Sequence, residues 1–343
     1  MRKEKMEIFK CKPGMLLAED VICNGSKLVS KNTVLNSYII DKLISLGEYS
    51  IYIFVLENND YLNRYDNTRE NFKTDYKLNI NMIKKLINKL TSTNEVMQIS
   101  ESIVKYLDEP NVIIECLNSL KKSDEYTYTH CINVGIYSML IAKWMNLSLD
   151  LIREAIQSGL LHDIGKIKID LEILNKPGKL TNEEFYEIKK HTIWGYDLVN
   201  QNNNLSKNIK DAVLMHHERA DGSGYPFGVN GTDITLIAKI VSVADTFDAM
   251  TSNRVYKKGT TPFKAFEMFM VEGVKQYDVS IIFSLLENIY PYYIGMNAML
   301  EDGRIGEIVY ISPNDLMNPI IKVNNELIDM SKENNLSIVN IFV

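Results

Sequence analysis

The chain has 343 residues, 45% hydrophobic and 24% charged, enough for two or three domains with sizeable buried cores. Its formal charge of −6 argues against a surface that wraps DNA or RNA, although a local basic pocket can still hold a nucleotide. The four cysteines, Cys11, Cys23, Cys116 and Cys131, form no CxxC pair and read as reduced thiols. No apolar region follows the basic N-terminal residues, and no apolar run approaches a membrane span. A soluble, cytoplasmic protein is expected, with neither a membrane nor a nucleic-acid polymer as partner.

Residues 1–65 read as a small α/β module. Lys12-Pro13-Gly14 and Asn24-Gly25 interrupt short apolar runs, the second as a hairpin turn. SYIIDKLISLG predicts a helix stopped by Gly47, and SIYIFVL (50–56) a strand. Residues 66–122 read as linker and amphipathic helices. The stretch 57–76 is polar and aperiodic and predicts a linker. From about 78 the apolar spacing turns helical, in NINMIKKLINKL, VMQISESIVKYL and, after Pro110, NVIIECLNSLKK. The apolar faces of 78–122 suit either a homodimer or packing on the rest of the chain. Residues 123–290 read as helix after helix with short loops, the Asn-rich run from Asn200 to Asn204 being one of them. After Pro291 the pattern alternates, so 291–343 predict a small β-rich C-terminal module. The fold class expected is mainly α, with small modules at both ends.

All five histidines, His130, His162, His191, His216 and His217, fall in the helical segment. His162-Asp163 sits in SGLLHDIGKI, where a buried carboxylate costs several kcal/mol unless a cation meets it. Lys166 follows on the same face, so Asp163 is either a metal ligand or simply its ion-pair partner. His216-His217 closes a second apolar helix. Asp245, in KIVSVADTFDAM, is a mid-helix acid among apolar residues and reads as a ligand, with Asp248 one turn later in a supporting role. Cys131 adjoins His130, but neighbouring helical side chains diverge by about 100°, which makes it a core residue. Five imidazoles and two carboxylates exceed the needs of one tetrahedral zinc and suit two ions. Two ions together can activate water and clamp a phosphate for in-line attack. Nitrogen and oxygen donors without thiolate favour iron or manganese, with nickel, cobalt and zinc left open.

These residues stand in an ordered series: YTYTHCINV, LLHDIGKIKID, ILNKPGKLTNEE, HTIWGYDLV, HHERADGSGYPFG and VADTFDAMTSNRVYKK. The series, over roughly 123–260, resembles the HD-GYP family of cyclic di-GMP phosphodiesterases. KPGMLLAEDV is also similar to the N-terminal module of some members. The resemblance implies an HD-type helical bundle that hydrolyses cyclic di-GMP to linear pGpG, and in some members on to GMP. It implies His130, His162, Asp163, His191, His216, His217 and Asp245 as metal ligands, with Asp163 bridging. Asp163 and Lys166 are then the catalytic pair, Lys166 facing the scissile phosphate. Arg254 and Lys257 match residues associated with substrate phosphates, and Tyr225 of the Gly224-Tyr225-Pro226 loop lies near the substrate. Members with three metals carry a glutamate four residues before the first histidine; here that position is Tyr126, so two divalent ions are expected. Two other readings are a cyclic di-GMP sensor without turnover, and an HD phosphohydrolase of another cyclic dinucleotide or nucleotide. Nothing in the metal set looks degenerate, which favours the enzyme.

Overall fold

In the computed structural model, residues 2–23, 25–55, 60–89, 93–120, 126–176, 178–252, 259–333 and 335–342 are described. The chain opens with strands β1 (Arg2–Glu7), β2 (Leu16–Leu17), β3 (Val21–Cys23) and β4 (Ser26–Val29), helix α1 (Ser37–Ser45) and strand β5 (Ser50–Val55). β5 lies between β1 and β2, antiparallel to both, and β3 pairs with β4 as a hairpin. Asn36 caps α1 by accepting from the Ile39 N–H, and Gly47, at φ +80°, takes the left-handed turn that ends it. Ile39, Ile40 and Leu43 of α1 pack on Leu17, Ile51 and Ile53 to make this module's core.

Of the expected linker at 57–76, residues 60–76 are helical instead, and 57–59 lie outside the described residues. α2 (Asp60–Lys89) starts within it and continues without a break. Among the described residues its buried apolar side chains, Phe72, Tyr76, Ile83 and Leu86, form a narrow stripe, and two of them fall in the polar stretch. Two apolar residues among solvated neighbours leave almost no periodic signal, yet tertiary packing suffices to hold the helix. α2 lies on α3 (Thr93–Val104), α4 (Pro110–Ser119) and α5 (Tyr126–Trp144). Ile83, Leu86, Val96, Ile99, Ile103, Val112 and Ile113 all enter the same core as the histidine-bearing helices. Much of these apolar faces is covered by the chain itself, while Leu78 and Met97 stay more than half exposed.

The remaining helices are α6 (Leu149–Leu161), α7 (Leu171–Leu174), α8 (Asn182–Lys189), α9 (His191–Asn200), α10 (Lys207–Met215), α11 (Leu236–Thr251), α12 (Pro262–Met268), α13 (Val274–Gln276) and α14 (Val279–Ile289). Their starts are written locally: Ser148 and Ser206 cap α6 and α10, and Thr181 with Glu184 forms a capping box on α8. α5 and α11 carry apolar residues on nearly every face, which places them at the centre of the bundle, packed on each other and on α6.

Strands β6 (Asn297–Leu300), β7 (Ile305–Ser312), β8 (Asp315–Val323), β9 (Glu326–Asp329) and β10 (Ile338–Phe342) form an antiparallel sheet in the order β10-β6-β7-β8-β9. The two terminal modules meet. Tyr310 of β7 sits in the N-terminal core and donates to the Leu28 carbonyl at 2.9 Å, with Lys42 Nζ 3.7 Å above its ring.

Candidate metal centre

Six elements bring the predicted ligands together. His130 comes from the first half of α5, His162 closes α6, and Asp163 begins the short turn Ile164–Lys168. His191 opens α9, His216 and His217 follow the end of α10, and Asp245 lies within α11. His130, His162, Asp163, His191, His216 and Asp245 are buried, and His217 is partly exposed.

Four of the imidazoles are oriented through Nδ1, three of them by nearby backbone carbonyls. Nδ1 of His162, His191 and His216 meets the carbonyl three residues earlier, of Gly159 (2.8 Å), Ile188 (2.7 Å) and Val213 (3.0 Å). His130 Nδ1 meets Asp248 Oδ2 at 2.7 Å. Each pairing assigns a proton to Nδ1, and for His162, His191 and His216 it turns the Nε2 lone pair toward the centre, while His130 Nε2 faces Asp245. His217 instead turns Nδ1 toward Asp245 Oδ2, at 4.0 Å.

The donors divide into two groups, Asp163, His191, His216 and His217 in one and His130, His162 and Asp245 in the other, each with its ligand atoms within 4.8 Å of one another. Asp163 stands between them. Its Oδ1 lies 3.3 Å from His191 Nε2, and its Oδ2 lies 3.3 Å from His162 Nε2 and 3.9 Å from His130 Nε2. Asp245 Oδ1 is 3.1 Å from His130 Nε2.

A cation fits this arrangement on internal grounds. The His191 and His216 Nε2 atoms approach to 3.3 Å, and with both Nδ1 atoms protonated two lone pairs would face each other in a buried space. His162 Nε2 and Asp163 Oδ1 are buried without a hydrogen-bond partner. Such atoms are costly unless positive charge reaches them.

The charge balance points the same way. Burial opposes ionisation of Asp163, but His162 and Lys166 outweigh it and hold the carboxyl well below the usual range. Burial likewise opposes the charge on Asp245, and His130 overrides it in the same direction. For His130, burial disfavours the charged ring, but hydrogen bonds to Asp245 and Asp248 push it up to about 9. Burial pushes His191 down to about 4, and His216 and His217 well below the ordinary imidazole range. Lys166 Nζ lies 2.5 Å from Asp163 Oδ2 and keeps 27% of its side chain accessible. Burial opposes its charge, yet Asp163 holds it above the ordinary lysine range. A cation that is both paired and accessible suits an incoming anion.

Gly165 allows the turn bearing Asp163 to seat on α9, because a Cβ there would meet the His191 carbonyl oxygen at 2.0 Å. Tyr225 stacks on His217, with ring centroids 4.6 Å apart and planes at 29°. Lys189 Nζ lies 5.2 Å from the same tyrosine ring. Gly224 is similarly constrained, its missing Cβ leaving room for the Arg219 nitrogen at 2.4 Å.

Sequence reasoning missed what anchors this loop. Glu218, 2% exposed, accepts from the backbone N–H groups of Phe227 (2.7 Å), Gly228 (3.2 Å) and Val229 (3.2 Å). An acid directly after a histidine pair and before a glycine-rich run was the available signal. Arg219 braces the far side, donating to Ser242 Oγ at 2.7 Å and lying over the Tyr277 ring at 4.6 Å. Arg254, Lys257 and the side chain of Tyr126 lie outside the described residues. Cys131 is buried in the core.

Residues 117–281 match the HD domain family. The site described above thus lies in a segment similar to the HD domain family. A protein named cyclic di-GMP phosphodiesterase from Pseudomonas aeruginosa is 38% identical over 228 residues, 66% of this chain and 54% of the relative. A 3′3′-cGAMP-specific phosphodiesterase of Vibrio cholerae is 31% identical over 195 residues, 56% of this chain and 37% of that protein. The chain thus spans about half the length, or less, of these curated relatives. The solved structure of an HDG"Y"P protein from Bdellovibrio bacteriovorus matches with a TM-score of 0.51 at 16% identity, covering 83% of this chain and 98% of that one. At that identity the likeness concerns the fold, a mainly α HD-type bundle with small terminal modules. Among the described residues, no helix is long and apolar enough to cross a membrane.

Proposed function

We propose that this HD-GYP chain is a metal-dependent phosphodiesterase that hydrolyses cyclic di-GMP to linear pGpG in the cytoplasm. The observation that carries the reading is the pair of donor groups joined by Asp163, with Lys166 beside it and open to solvent. His130, His162 and Asp245 would hold one divalent ion and His191, His216 and His217 the other, with Asp163 reaching both. The donor set, all nitrogen and oxygen, favours iron or manganese. Bound ions would supply Lewis acidity toward the phosphodiester and a more acidic water for in-line attack.

The chain's own residues supply the rest. Lys166 Nζ is placed to meet the non-bridging phosphate oxygens, where negative charge grows in the transition state. The same atom can give a proton to the departing ribose oxygen and regain it from solvent. Asp163 keeps Lys166 charged and fixed between turnovers. Tyr225, stacked on His217, offers a flat edge beside the metal centre for a nucleotide. Arg254 and Lys257 would grip the substrate's phosphates, Arg254 with two parallel hydrogen bonds.

The similarity to a 3′3′-cGAMP-specific enzyme favours a second substrate class at the same site, a mixed purine cyclic dinucleotide. The test is metal analysis of anaerobically purified protein, followed by chromatography of products after iron or manganese loading, with both cyclic dinucleotides supplied. Linear pGpG is expected, with turnover abolished and metal content lowered in His162→Ala and Asp163→Ala. Fully metallated protein that binds cyclic di-GMP without releasing pGpG would make the chain a sensor. Faster cleavage of the mixed dinucleotide would reassign the substrate.

A further inference from the structure

The metal ligand His130 is held by a chain of hydrogen bonds that leaves the histidine-bearing helices and ends on α2. His130 Nδ1 meets Asp248 Oδ2 at 2.7 Å. Asp248, 1% exposed, receives the Asn133 Nδ2 amide at 2.9 Å and the Ser252 hydroxyl at 2.8 Å on its other oxygen. Asn133 Oδ1 in turn accepts the Tyr76 hydroxyl at 2.7 Å. Tyr76 is 5% exposed, anchored in the α2 stripe by its stack on Phe72 at 6.0 Å.

The polarity of this chain is fixed at its far end. A carboxamide can present either its NH2 or its carbonyl to a neighbour, and the two orientations have the same shape. Toward the Asp248 carboxylate only the NH2 is favourable, because a carbonyl there would set two acceptors against each other. Tyr76, donating to Oδ1, rewards the correct orientation. Without that hydroxyl, Oδ1 loses its donor and the preference for one orientation weakens. Asp248 would then lose a donor, and with it some of its hold on the His130 ring that aims Nε2 at the metal centre.

We infer that Tyr76 and Asn133 are positioning residues for the metal centre, acting through Asp248 on His130, and that α2 is thereby part of the support of the site. The inference rests on the metal-centre reading above. Supporting groups that orient a ligating histidine typically change metal affinity about 10–100-fold when removed. Asn133 stands one hydrogen bond beyond Asp248 and Tyr76 two, so about a tenfold loss is expected on Asn133→Ala and about a three- to tenfold loss on Tyr76→Phe. Because Tyr76 acts only through Asn133, the double variant should bind no more weakly than Asn133→Ala alone.

The experiment is competition between a fluorescent chelator and the full chain for Mn2+, on wild type, Tyr76→Phe, Asn133→Ala and the double variant. Urea unfolding of each metal-free protein runs alongside. A merely structural tyrosine would lower the metal-free midpoint and leave the Mn2+ dissociation constant within twofold of wild type; that result overturns the inference. Equally, it falls if the two losses multiply in the double variant. Should Asn133→Ala fail to fold, Tyr76→Phe, which removes a single oxygen, decides the matter by its Mn2+ affinity. Failure of wild type itself to bind Mn2+ would instead sink the metal-centre reading, and this inference with it.

Discussion

Glu218 offers the sharpest test of how the Gly-Tyr-Pro loop is held. Its carboxylate is almost fully buried and accepts three backbone N–H groups from Phe227, Gly228 and Val229. Hydrogen bonds to a charged acceptor contribute about 1.5–3 kcal/mol each, but they share one desolvation penalty. Phe227 and Gly228 are exposed, so their freed N–H groups can turn to water. Those offsets bring the expected cost of Glu218→Ala to about 2–4 kcal/mol. Glu218→Gln keeps the shape but turns an NH2 toward at least one of the donors, for a loss of about 1–2.5 kcal/mol. Urea unfolding of the metal-free protein, followed by far-ultraviolet circular dichroism, measures both. Because the loop carries Tyr225 and none of the assigned ligands, metal content should hold while the Michaelis constant for cyclic di-GMP rises. A Gln variant within about 0.5 kcal/mol of wild type with an unchanged Michaelis constant would refute the anchoring argument.

Two further outcomes follow from the same geometry. Gly165→Ala forces the Asp163 turn away from α9, since a Cβ would stand 2.0 Å from the His191 oxygen; stability should fall by about 3 kcal/mol or more and metal affinity with it, and a variant with wild-type unfolding and metal binding would contradict the packing. In the metal-free protein His191, pushed down to about 4 by burial, binds fewer protons when folded than when unfolded below about pH 6.5, so stability falls as pH drops from 7 to 5, by about 2 kcal/mol from this residue. His216 and His217 act in the same direction, whereas His130, raised to about 9, contributes stability below its unfolded value that is lost as pH rises through 9. The check is His191→Asn, whose metal-free form should lose less between pH 7 and 5; an unchanged loss would count against the assignment.

The proposed metal ligands were legible because their chemistry is conspicuous in sequence. A histidine beside an aspartate within an apolar helix, or an aspartate among Val and Ala, is too costly to bury without a charge to meet it. Local sequence context thus pointed to His162, Asp163 and Asp245, with an ion pair to Lys166 as the alternative for Asp163. Local signals also wrote most helix starts, as with Ser148, Ser206 and the Thr181–Glu184 box. The helix at 60–76 escaped notice because its stability lies in two residues, Phe72 and Tyr76, whose partners are far along the chain.

What only the tertiary structure decided is how those residues are oriented and shared. The resemblance implied that Asp163 bridges, but nothing in the sequence states which oxygen faces which donor group, that three imidazoles are aimed by carbonyls three residues earlier, or that Asp248 takes its donors from Asn133 and Ser252. Glu218 reads as an ordinary surface acid until the loop folds back over it, and Tyr310 as an ordinary strand residue until the N-terminal module closes on it. Burial chemistry is a property of residue types and survives in a one-dimensional record. Hydrogen-bond direction and close approach depend on where distant segments meet, which only the folded chain defines.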